Sequence, residues 1–437
     1  MKTPRFLFLI GAGLTLGIAH AAEQPRAHHR FDFGAASVGP GYTSVRGEAV
    51  YSAELGYGFE PGTVVKTVAR GGPDATRSGF CTSDQPFFFS VAVPEGNYRV
   101  TLVLGDRDGP SNTTVKAELR RLMLEQVRTA PGEFATRSFV VNVRTPKIPG
   151  GGEVRLKAPR ETTQEAWAWD ERLTLEFNGS LPAVCAIDTT PVDVPTLFLI
   201  GDSTVCDQSR EPYNSWGQML PRFFQSGMSV ANHGESGETF RDSIGRRRLD
   251  KIVSAMKAGD YLFMQFGHND QKQIALGTGG PFTTYKAELK THVDAARARG
   301  GIPVIISPME RRNFGADGKI IPSLADYAEA ARQAAKELGA PFIDLNAMSI
   351  PLYEALESMG HDYSRKAFAG QDNTHHNNYG SYELAKCIIE GIRANKLGLA
   401  QFIEKNLRAF DPNQPDSVDT FAVPPSPLVT EQKPHGN

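Results

Sequence analysis

The stretch Thr196-Leu197-Phe198-Leu199-Ile200-Gly201-Asp202-Ser203-Thr204 decides the fold. Its apolar run has no polar alternation and stops at a glycine, as expected of a short strand buried on both faces. Similar runs follow at 228–231, 261–266, 302–307 and 342–345, giving five predicted strands. Between them lie stretches with helical periodicity, such as 285–299 and the alanine-rich 324–338. Strands alternating with helices predict a parallel five-stranded sheet covered on both faces, an α/β domain over residues 196–410. Ligands of such sheets bind beyond the carboxyl ends of the strands, so the residues just after each run are the ones to read for chemistry.

Upstream, residues 30–180 carry a different pattern. Short β-favouring runs such as 86–93, 98–104, 139–143 and 172–177 are separated by turn residues, for example Glu95-Gly96-Asn97. This predicts an all-β sandwich domain. Residues 181–195 hold three prolines and no periodicity, and read as a linker. The tail, 411–437, has six prolines and little apolar periodicity, and is expected to be mobile.

Composition narrows the partners. The chain has 437 residues, 40% hydrophobic and 22% charged, and 47 basic against 49 acidic residues leave a net charge of -2. No field of one sign is available to gather nucleic acid or an anionic membrane. Residues 1–21 read as a cleaved signal peptide. Lys2 and Arg5 precede an apolar run at 6–18, too short for a membrane span, and Ala19-His20-Ala21 closes it. The mature protein is therefore expected to be secreted or periplasmic, with no membrane association. Cys81, Cys185, Cys206 and Cys387 would then meet an oxidising setting, and four cysteines allow three complete pairings among which sequence does not choose.

Four segments carry chemistry. Gly201-Asp202-Ser203 puts a hydroxyl directly after the first strand, where Asp202 or Ser203 would otherwise only cap a turn. Asn232-His233-Gly234-Glu235-Ser236-Gly237-Glu238 follows the second strand, with glycines that let backbone amides approach a ligand. Gly267-His268-Asn269-Asp270 follows the third and offers an amide donor. Far downstream, Asp372-Asn373-Thr374-His375 sets a carboxylate and an imidazole three positions apart, ahead of a predicted last helix at 379–395. A serine hydroxyl needs a base, and an imidazole oriented by a carboxylate is suited to the task. Ser203 as nucleophile, His375 as base and Asp372 as its partner form one coherent set. The amides of Ser203 and Gly237 and the side chain of Asn269 would supply an oxyanion hole.

In that order these segments resemble the GDSL or SGNH hydrolase family, whose four blocks contribute Ser, Gly, Asn and His, matched here by Ser203, Gly237, Asn269 and His375. The resemblance implies a flavodoxin-like three-layer fold, a triad completed by Asp372, and no cofactor or catalytic metal. The runs Leu197 to Val205, Phe266 to Asp270 and Asp372 to His375 are similar to the rhamnogalacturonan and related polysaccharide acetylesterases, which implies an acetylated polysaccharide or oligosaccharide as substrate. Glu238 stands where many members of that branch carry an arginine. An acetylxylan esterase, a lipase or lysophospholipase, and a carbohydrate-binding protein with an inactive hydrolase domain are the alternatives. Retention of all the catalytic residues argues against the last. No Gly-x-Ser-x-Gly elbow is present, and adjacent His375 and His376 do not form a helical metal pair. In the β domain, Trp167, Trp169 and the Phe87-Phe88-Phe89 run are candidate sugar-stacking faces, although a strand must turn at least one of three consecutive phenylalanines into the core.

Overall fold

The computed structural model describes residues 28–34, 38–360 and 362–434. The predicted signal peptide lies outside the described residues.

The α/β domain is built on five strands, β1 (Thr196–Gly201), β2 (Ser229–Asn232), β3 (Tyr261–Gln265), β4 (Ile302–Ile306) and β5 (Phe342–Ile343). They lie in the order β2-β1-β3-β4-β5, every neighbouring pair parallel. This is the flavodoxin-like order, whose strand direction of travel reverses between β1 and β3. Alternate side chains serve opposite faces. Phe198, Ile200, Leu262, Met264 and Ile305 join a core with helices α1 (Phe240–Gly245), α2 (Arg248–Ala255), α3 (Lys286–Ala298) and α4 (Ala325–Leu338). Leu197, Leu199, Phe263, Val304 and Ile306 join the other core, with α5 (Leu345–Ser358) and α6 (Asn378–Ala394). Because both faces are covered, the strands need apolar residues at every position, which is why they read as unbroken runs.

The amino-terminal domain is a sandwich of a seven-stranded and a five-stranded sheet. Phe87 and Phe89 point into its core, against Phe177 and Phe31 respectively, while Phe88 faces outward against Trp167. Trp169 is buried at the domain interface, with the guanidinium groups of Arg144 and Arg248 over its ring, so the ring is not a free sugar platform.

Two boundaries differ from expectation. Most of the predicted linker is the strand Val184–Pro191, which runs inside the seven-stranded sheet between Gly96–Gly105 and His29–Asp32. The prolines fall at 182, 191 and 195, at or beyond the ends of the strand, where a missing N–H costs no interior ladder bond. Only residues 192–195 connect the domains. The tail is also not free over 411–434. The Thr430 N–H donates to Glu211 O and the Glu211 N–H to Leu428 O, while Ser426 and Pro424 receive the buried Lys116 ammonium. It is held across both domains by these contacts and by Val423 and Phe421, which pack on the α/β core, single apolar anchors that show no periodicity.

All four cysteines are buried free thiols. Burial pushes the Cys81 thiol up to about 12 and raises the other three as well.

Candidate active site

Gly201 ends β1 where there is no room for a side chain: a Cβ there would lie 2.5 Å from Gln265 O and 2.4 Å from Val205 Cγ2. The chain turns at once, and Asp202 shapes the turn. Its Oδ1 accepts from the Thr204 N–H (2.9 Å) and hydroxyl (2.7 Å), and its carbonyl accepts from the amides of Val205 and Cys206. Asp202 takes the capping role, leaving Ser203 for other work.

Ser203 Oγ lies 2.8 Å from His375 Nε2, and His375 Nδ1 lies 2.8 Å from Asp372 Oδ2. All three side chains are buried. The loop that carries the last two is folded by its own carboxylate: Asp372 Oδ1 accepts from the amides of Thr374 (2.8 Å) and His375 (3.1 Å). Burial, the largest influence on Asp372, favours its neutral form. The hydrogen bonds from His375 and the two amides outweigh it and hold the carboxyl at about 2. Asp372 is therefore ionised at neutral pH and can only accept, so the imidazole proton sits on Nδ1 and the Nε2 lone pair faces the Ser203 hydroxyl. Tyr213 packs edge-on against the imidazole at 5.8 Å and fixes its plane.

After β2, Glu235-Ser236-Gly237-Glu238 makes a tight turn closed by the Glu238 N–H on Glu235 O (3.3 Å). Gly237 has φ +75°, the conformation that the third position of a type II turn requires. After β3, Asn269 Nδ2 donates to Glu238 O at 3.2 Å, which ties this amide to the turn. Gly237 and Asn269 line one cavity of about 260 Å³ with Thr239, Arg241, Lys272 and Leu276. Among the described residues, the amides of Ser203 and Gly237 have no hydrogen-bond partner. All five residues singled out in the sequence thus stand at the carboxyl edge of one sheet or in the loop that meets it.

The other marked residues are structural. His376 donates or accepts with Tyr353 Oη at 2.8 Å, and burial drives its imidazole down to about 3. His233 is buried in the domain interface, where burial and the surrounding Arg144, Lys251 and Arg248 keep it neutral. Glu238 is fully buried against Arg248, with Nε 2.8 and 2.9 Å from its two oxygens. Sequence reading passed over Gln208, whose Nε2 donates to Ser203 O at 2.8 Å, and over Lys157 and Arg160 of the sandwich domain, which reach this region. No motif marks these positions.

A parallel sheet bearing a buried hydroxyl, imidazole and carboxylate in one hydrogen-bonded chain is the architecture of a hydrolase. Residues 199–381 match the GDSL-like Lipase/Acylhydrolase family, and residues 29–145 match the Beta-agarase/YXIM esterase-like, galactose-binding domain-like family. Rhamnogalacturonan acetylesterase RhgT of Bacillus subtilis is 38% identical over 218 residues, covering 46% of this chain and 90% of that protein. The probable rhamnogalacturonan acetylesterase YesY of the same organism is 31% identical over 214 residues, 48% of this chain and 97% of the relative. The uncharacterized esterase YxiM, also of Bacillus subtilis, is 26% identical over 392 residues, covering 87% of this chain and 94% of its own. The chain belongs to the GDSL-like lipase/acylhydrolase family, in its rhamnogalacturonan acetylesterase-like branch, and is an esterase.

Proposed function

We propose that the protein is an exported esterase that removes acetyl groups from plant cell-wall polysaccharide of the pectic rhamnogalacturonan class. The reading rests on the hydrogen-bonded chain Ser203–His375–Asp372, and relatives that bear the name rhamnogalacturonan acetylesterase support it. In this reading His375 Nε2 takes the proton of Ser203 as Oγ attacks the acetyl carbonyl, and Asp372 stabilises the imidazolium. The oxyanion is held by the amides of Ser203 and Gly237 and by Asn269 Nδ2. His375 then protonates the departing sugar oxygen, and water, activated by the same imidazole, releases acetate from Ser203.

The test is acetate release by wild type and Ser203→Ala from acetylated rhamnogalacturonan, acetylated xylan and a long-chain ester, side by side. Fastest release from rhamnogalacturonan and none by the variant is expected. Preference for the long-chain ester overturns the substrate, and an active Ser203→Ala overturns the mechanism.

A further inference from the structure

The sandwich domain sends an arm, residues 155–165, over the turn that follows β2. Two hydrogen bonds pin it there: the Arg155 N–H donates to Arg246 O at 2.9 Å, and the Arg246 side-chain Nη1 donates back to Arg155 O at 2.9 Å. From this arm Lys157 Nζ donates to Ser236 O at 2.5 Å. Ser236 C=O and Gly237 N–H belong to one peptide group, and in a trans peptide the two point in opposite directions. With its oxygen bound by Lys157, the peptide turns its N–H away from the arm, and Gly237 itself lines a cavity with Asn269.

We infer that Lys157 is a positioning residue of the esterase site, contributed by the sandwich domain: its ammonium orients and polarises the Ser236–Gly237 peptide so that the Gly237 N–H is a fixed, strengthened oxyanion donor. The inference rests on the assignment of Gly237 to the oxyanion hole. A cation on the carbonyl draws electron density from the nitrogen, and hydrogen bonds in series reinforce one another in a low-dielectric site. A charge-assisted bond also resists the rotation of this peptide that a glycine otherwise permits. The same arm steadies the nucleophile's loop. Arg160 Nη2 lies 3.2 Å from Gln208 Oε1, and Gln208 Nε2 in turn donates to Ser203 O. Arg160 Nε also lies 2.6 Å from Glu165 and 3.3 Å from Glu235 at the start of the turn. The sandwich domain therefore completes the catalytic centre, whatever else it binds.

Lys157 can be changed without leaving a buried charge alone. Its other ionic neighbour, Glu238, is 3.6 Å away and keeps both oxygens on Arg248. The test compares full-length wild type, Lys157→Met and Lys157→Arg in p-nitrophenyl acetate hydrolysis and in inhibition by methylboronic acid. This acid adds to the serine oxygen as a tetrahedral adduct and so reports on the oxyanion hole. Lys157→Met is expected to lower kcat about tenfold with KM within about twofold, and to raise the boronate inhibition constant by the same factor, a fraction of what a charged hydrogen bond supplies. Lys157→Arg, which keeps a cationic donor, is expected to recover most of both. Unchanged kcat and boronate affinity in Lys157→Met would overturn the proposal, as would a lower kcat with unchanged boronate affinity. Loss of the fold in both variants would make the contact structural and overturn it equally. Asn269→Ala and Ser203→Ala separate this inference from the site assignment: if both keep full activity and boronate binding, the site reading fails; if both lose them while Lys157→Met does not, only the role of Lys157 fails.

Discussion

Arg248 Nη2 of the α/β domain lies 2.6 Å from Oε2 of Glu161 in the sandwich domain, with both side chains withdrawn from solvent. The same guanidinium holds both oxygens of Glu238, so one cation joins the domain interface to the turn that carries Gly237. A buried carboxylate left without its partner is far more costly than the pair is favourable. Arg248→Met is therefore expected to lower the unfolding free energy by about 3–5 kcal/mol, measured by urea unfolding at neutral pH.

In the proposed mechanism Asp372 reaches the ester only through His375, so its replacement should spare binding and damage the chemical step. Asp372→Asn keeps the shape but replaces the anionic acceptor of the His375 Nδ1–H hydrogen bond, which stabilises the imidazolium, with a neutral amide. A fall in kcat of about 10³–10⁴ on an acetyl ester is expected, with KM little changed and the far-UV spectrum intact.

Buried titratable groups predict opposite pH effects at two sites. Burial holds His292 at about 4, whereas in the unfolded chain an imidazole titrates near 6.5. Its contribution is fully present above pH 6.5 and is lost as pH falls towards 4, because the unfolded state binds the extra proton. Burial pushes Glu118 up to about 8, so its contribution is present below the ordinary carboxyl range and is lost as pH rises towards 8. His292→Gln should therefore flatten the loss of stability between pH 7 and 5. Glu118→Gln should gain on wild type as pH rises from 5 to 8. Urea unfolding of the three proteins at pH 5, 7 and 8 checks both signs.

The carboxyl-terminal segment fills hydrogen-bonding needs of both domains. Ser426 Oγ donates to Glu176 at 2.7 Å and accepts from Lys116 Nζ at 2.7 Å, and the Ser426 amide donates to Glu211 at 2.8 Å. Deleting residues 422–437 should destabilise the protein by about 0.5–1.5 kcal/mol for each bond lost, seen as a lower melting temperature in calorimetry.

Much of the candidate site was legible before the structure. Ser203, Gly237 and Asn269 each follow an apolar run, and a parallel sheet presents whatever follows its strands along one edge. Asp372 and His375 were legible because their spacing lets one loop carry both, and the carboxylate folds that loop through the amides of Thr374 and His375. The strand Val184–Pro191 was not, because prolines at its ends outweighed an apolar centre that only the neighbouring strands confirm.

Local pattern by itself determined the parallel sheet, the sandwich before it and the candidate residues at the strand ends, since burial periodicity and strand ends are written in consecutive residues. Only the tertiary structure decided that Glu238 is the buried counter-ion of Arg248 and that the tail is fastened across both domains. It alone also brought Lys157 and Arg160, from an arm without periodicity, to the turn and loop beside Ser203 and Gly237. Apart from the Glu238–Arg248 pair, ten positions apart, these contacts join residues about 50 to 300 positions apart. Their energy depends on how two domains dock, and no short window of sequence encodes that.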